Sequence, residues 1–199
     1  MRMRRRPKQQ INIKTMNQSG FLLRLTGYLD GFTERTGRTL AWLNIGMVVL
    51  TFAVVVMRYL FNHSSIFMQE SVMYLHSIVF LLASAYTLKY NEHVRVDILY
   101  TRLSGKGKAL VDLLGTLFLL MPVTIFIFFA SLGYVESSWA IREHSPETSG
   151  IPLVYLLKTL IPLMCVLMVI QGVAEVLRNI AVLAGAIPKE AGPAAEDTL

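Results

Sequence analysis

The sequence predicts an all-α membrane protein with four transmembrane helices and both termini on the inner side, N-in/C-in. Three observations predict it. First, four runs carry almost no charge: Thr39–Met57, Ser71–Leu88 (His76 alone), Leu113–Val135 and Ile151–Ala174 (Lys158 alone). Second, each run is close to the ~20 residues that cross a ~30 Å hydrocarbon core as a helix. Third, sixteen of the 19 lysines and arginines fall before the first run, between the second and third, or after the fourth. Only Arg58, Arg142 and Lys158 fall on the other side. Basic residues gather on the cytoplasmic side of membrane proteins, so this bias sets the orientation.

Residues 1–19 are basic and polar and are expected to be disordered. Residues 20–38 carry Leu22, Leu25, Leu29 and Phe32 at helical spacing among Arg24, Asp30, Glu34 and Arg35. That pattern predicts an amphipathic helix in the inner interface. Residues 39–184 form the membrane domain, with spans expected at about 40–61, 67–89, 108–139 and 151–183. Trp42, Tyr59 and Trp139 stand near span ends, where amphipathic rings anchor at the lipid–water boundary. The stretch 90–108 mixes charge with Val94, Ile98, Leu99 and Leu103, which predicts a cytoplasmic surface helix ended by a turn at Ser104–Gly107. Pro122 and Pro162 are expected to bend spans three and four, with Thr124 near the backbone groups that Pro122 frees. Pro152 is expected in the first turn of span four. Gly185 and Pro188 end that span, and residues 185–199 are expected to be a disordered tail.

Composition narrows the function classes. Apolar types make up 54% of the 199 residues, and the spans use about half the chain. No room is left for a separate catalytic domain. The net charge of +6 invites nucleic-acid binding, but its distribution reads as a topology signal that also touches anionic lipid. No secretory signal is expected, because the first apolar run begins only near Leu40. The triple arginine at Arg4 lacks the short apolar run of a twin-arginine signal. The lone Cys165 forms no internal disulfide.

Few residues offer membrane chemistry. His76 lies nearer the outer end of its run than the centre, which suits a lipid-edge or satisfied histidine better than a proton relay. Lys158 either snorkels outward or pairs with another helix. The four histidines, His63, His76, His93 and His144, do not face one another across the midplane, which argues against haem and against a redox or quinone subunit. His93 and Asp97 have i, i+4 spacing, but two ligands with Arg95 and Arg102 nearby suit local ion pairing rather than a metal. An autonomous exporter working as a homo-oligomer needs an embedded acid, and Glu70 at the head of span two is the nearest candidate.

The segment Arg58–Leu103 carries a more specific signal: Arg58-Tyr59, then Phe61-Asn62, Glu70-Ser71, Ala83-Ser84-Ala85-Tyr86, and His93-Val94-Arg95-Val96-Asp97. A second patch runs Glu147-Thr148-Ser149-Gly150-Ile151-Pro152, then Lys158, Ile161-Pro162 and Gln171-Gly172. Together these resemble the small membrane (DctQ-type) subunit of tripartite ATP-independent periplasmic (TRAP) transporters. Phe67, His76 and Ala83 depart from the family pattern. The resemblance implies a scaffold without catalysis, importing organic acids or related solutes as part of a complex. Its partners would be a large multi-span subunit holding the substrate and sodium sites, a periplasmic binding protein and membrane lipids, in the bacterial inner membrane. No cofactor is implied in this chain. Subunit-interface or structural roles would fall to Arg58, Tyr59, Glu70, Ser71, His93, Arg95, Asp97 and Lys158. Arg142, Glu143 and Glu147 would meet the binding protein. Gly115, Gly133 and Gly172, with Ala83, Ser84 and Ala85, would allow close helix approach.

Overall fold

The computed structural model describes residues 13–90, 100 and 103–185, with side chains from residue 24 onward. Four helices account for nearly all of it: α1 (Ile13–Leu60), α2 (Ile66–Lys89), α3 (Gly105–Ala140) and α4 (Val154–Leu183). Each is long and apolar enough to cross a membrane. No strand occurs among the described residues. His93, Arg95, Asp97 and most of the predicted surface helix lie outside the described residues.

The first correction concerns α1. The expected boundary near residue 39 is not a break, and residues 20–38 continue span one as a single helix that begins at Ile13. No proline intervenes, and the two threonines at the expected boundary bond back to their own helix instead of capping a new one. Thr36 donates to the Phe32 carbonyl and Thr39 to the Arg35 carbonyl. At 1.5 Å per residue this 48-residue helix is ~70 Å long, more than twice the hydrocarbon core.

The turns follow local chemistry. Asn62 takes φ 48°, a left-handed conformation that asparagine tolerates, and reverses the chain after α1. Ser65 caps α2 by accepting from the Met68 N–H. Ser104 does the same for α3, accepting from Gly107, so Gly105–Gly107 is the first helical turn rather than a loop. Pro152 precedes α4 by two residues instead of entering its first turn. Gly185, at φ 73°, ends α4 as the sequence predicts.

Prolines are absorbed differently in the two later helices. α4 runs through Pro162. In α3 the turn ahead of Pro122 widens to a π-helix over Thr116–Leu120, and the Met121 N–H donates to the Thr116 carbonyl. Pro122 has no N–H for the carbonyl one turn back and its ring crowds it; the wider turn moves that carbonyl aside. Thr124 is buried beside this segment.

α4 is the hub. It packs against α1, α2 and α3, while α1 and α2 also pack on each other. One third of its apolar stretch (33%) is buried, against 6–11% for the other three. Gly172 lets α3 approach: a Cβ there would sit 3.1–3.2 Å from the Met121 and Leu120 side chains. Ala85 is buried in the same fashion on α2. At Gly115 and Gly133 an added Cβ would meet nothing within 4 Å among the described residues.

Candidate functional site: polar clasps at the two ends of the helices

Side-chain pairings show that the helices alternate in direction. The first half of α1 and the ends of α2 and α4 lie at one end, and the α1–α2 turn and α3–α4 loop lie at the other. Polar chemistry collects at these two ends.

At the loop end, Glu70 in the first turns of α2 reaches the α3–α4 loop. One carboxylate oxygen accepts from the Ser145 hydroxyl and the other from the Ile151 N–H. The approach is so close that only glycine fits at 150, where a Cβ would come within 2.3 Å of Ser145 Oγ and 2.7 Å of Glu70 Oε1. Glu70 therefore acts as a clamp on the loop, with both oxygens engaged. Its neighbour Ser71 donates to its own helix at the Phe67 carbonyl, 2.7 Å away.

The same loop is pinned a second time. Lys158 pairs with Glu143 and lies 4.0 Å from the Tyr134 ring centroid. Pairing, rather than outward snorkelling, is the arrangement observed. The Lys158 ammonium beside it holds the Glu143 carboxyl below its ordinary range. Arg142 sits at φ 46° in a Schellman turn, where the Glu143 N–H donates to the Ser138 carbonyl and the Arg142 N–H to that of Trp139. Arg142 and Glu147 remain exposed, whereas Glu143 is committed to Lys158. Trp139 donates from Nε1 to Thr159 Oγ1 at 2.9 Å and packs edge-on against Tyr155. Arg58, Tyr59 and Trp42 project outward from α1.

At the terminal end a larger network joins α1 to α4. Arg178 forks onto both oxygens of Asp30, at 2.8 and 2.6 Å, and also donates to Glu175 at 2.7 Å. Gln171 donates to Asp30 and accepts from Thr33. Asn179 closes the group on Glu175. Gln171 and Asn179 are fully buried and Glu175 nearly so. Buried polar groups persist where their partners are present, and this set is mutually satisfied. Beside it, Glu34 accepts from Lys89 and from the Tyr90 hydroxyl, both at 2.6 Å, with Arg38 at 3.3 Å. The bond to Glu34 pushes the Tyr90 hydroxyl above its ordinary range.

Sequence reading missed this terminal network. It took Asp30 as one charge among several and Arg178 as a topology signal. The available signal was spacing: Gln171, Glu175, Arg178 and Asn179 follow one another at helical intervals, so they share a face. Among the described residues, no group of three or more His, Cys, Asp or Glu is placed to hold a metal ion.

A family model described as the DctQ component of tripartite ATP-independent periplasmic transporters matches residues 47–182. No curated protein and no solved structure shows significant similarity to the chain. The match covers well over half of the 199 residues and every span except the beginning of the first. The chain is thus a multi-pass membrane protein and belongs to the DctQ family, the small membrane components of TRAP transporters.

Proposed function

We propose that this chain is the static scaffold subunit of a sodium-coupled, binding-protein-dependent importer of organic acids or related small solutes. It lies in the bacterial inner membrane with both termini cytoplasmic, as the sixteen basic residues at the terminal end favour. The observation that carries the reading is where the polar groups go. Glu70, Lys158, Asp30, Arg178 and Glu34 are all spent on ties between helices and loops at the two ends. A brace needs such ties; a proton-coupled path needs an acid free at depth, and each of these acids is tied. Substrate and sodium sites then belong to the large subunit. For the autonomous-exporter alternative, Glu70 is the acid required, and its occupation by Ser145 and the Ile151 N–H disfavours that role.

Finer roles follow. Arg142 and Glu147 are available to pair with a binding protein, where rim charges tune rate and register more than affinity. Trp42, Tyr59 and Trp139 anchor at the interfaces. Leu25, Tyr28 and Phe32, with Arg24 and Arg35, are exposed along the first half of α1 and suit the inner headgroup layer. Reconstitution tests the proposal. Liposomes holding this chain, the large subunit and the binding protein should accumulate solute under a sodium gradient, and omission of any one should abolish uptake. Transport by this chain alone would refute it.

A further inference from the structure

On α2, Gln69, Met73, His76 and Phe80 recur at i, i+4, i+7 and i+11, and all four are exposed. They form one outward stripe. Sequence reading measured His76 from the start of its uncharged run and put it near the outer end. The helix itself begins at Ile66 and ends at Lys89. At 1.5 Å per residue, His76 is ~15 Å from one end and ~20 Å from the other, well inside the hydrocarbon. Its ring stacks on Phe80 with centroids 5.9 Å apart. Among the described residues the imidazole nitrogens have no hydrogen-bonding partner.

The other outward faces differ. From Leu110 to Leu132 every exposed side chain of α3 is apolar. On α1 the exposed polar side chains between Ala41 and Met57 are uncharged, and Arg58 follows in the last turn: Thr51 donates to its own Met47 carbonyl, and Asn44 lies toward the charged half of the helix. Among the described residues, the α2 stripe is where an exposed imidazole lies at depth. Lipid tails offer an imidazole neither donor nor acceptor, and such residues in spans face protein or water.

We propose that the α2 stripe is the surface that receives the large transport subunit, with His76 exchanging a hydrogen bond with a polar side chain of a facing helix. The α3 face is left to lipid. This rests on the scaffold reading. It commits to the large subunit because the chain is one component of a tripartite transporter, and another membrane component is what can cover a span at that depth.

The test uses the complex in native membranes. Photo-reactive benzoylphenylalanine is placed at Phe80 or, separately, at Phe126 on the exposed face of α3. Irradiation should link position 80 to the large subunit and leave position 126 unlinked. A link from 126 alone, a link from 80 to a second copy of this chain, or no link from 80 while the large subunit co-purifies would each overturn the assignment. Failure of the large subunit to co-purify with the unsubstituted chain would instead overturn the scaffold reading beneath it. In parallel, His76→Leu should lower retention of the large subunit about three- to tenfold, the range of one interhelical hydrogen bond, while His76→Gln keeps it. Full retention with His76→Leu would refute the hydrogen bond.

Discussion

Single residues decide how closely these helices meet. A Cβ on Gly37 would sit 2.1 Å from Tyr86 Cδ2, whereas one on Gly46 meets nothing within 4 Å. Gly37→Ala should lower the stability of the extracted protein by about 1–3 kcal/mol, the usual cost of overpacking. Gly46→Ala should be neutral or stabilising by up to ~1 kcal/mol, because the helix loses a glycine at no steric cost. Thermal unfolding in one detergent compares the two. Arg178→Met should cost about 2–3 kcal/mol, less than for a fully buried pair because Arg178 and Asp30 are each about one quarter exposed. Asp30→Asn, which keeps an acceptor, should cost less. At the loop end Glu143 has its carboxyl lowered by Lys158, so the stability it adds is present above the ordinary carboxylate range. It is lost as pH falls through the lowered value. The protection factors of the α3–α4 loop, taken relative to the intrinsic exchange rate at each pH, should therefore fall on acidification in the parent and lose that component in Glu143→Gln. Much at this scale was illegible in the sequence. The tie from Asp30 to Arg178 spans 148 positions, and no local pattern reports which acid faces which base.

At the scale of elements, the spans were legible because lipid imposes a composition on whole helices. All four appear within a few residues of their predicted limits, apart from the N-terminal extension of α1. That extension was misread for a physical reason: charge on a helix marks where the hydrocarbon ends, not where the helix ends. The turn at Ser104 was misread because glycines suggest a loop, while a serine cap makes three residues around them helical. The widening of α3 was also hidden, since Pro122 predicts a disturbance but not its form. A π-turn holds one residue more than the α-helix it interrupts. Deleting the exposed Leu119 from that turn should let it relax to α-helix and preserve folded yield. Deleting Phe126 should rotate Ser131, Val135 and Ser138 away from their buried positions and lower yield sharply. Fluorescence-detected gel filtration of tagged variants separates the two.

At the scale of the molecule, α4 carries the fold, with α1 and α2 against it on one hand and α3 on the other. The family match begins at residue 47, so Asp30, Thr33 and Glu34 of both terminal ties lie in the part of α1 beyond it. Of the residues in the terminal clasps, the motifs behind the resemblance marked Gln171 alone; Asp30, Glu34, Glu175, Arg178 and Asn179 stand outside them. The proposed role is that of a brace within a larger complex. The most direct measurement is gentle extraction of the tagged chain from its native membrane, followed by the mass and composition of what elutes. A brace should elute with a stoichiometric large multi-span subunit. A homo-oligomer of this chain alone, active in transport by itself, would contradict it.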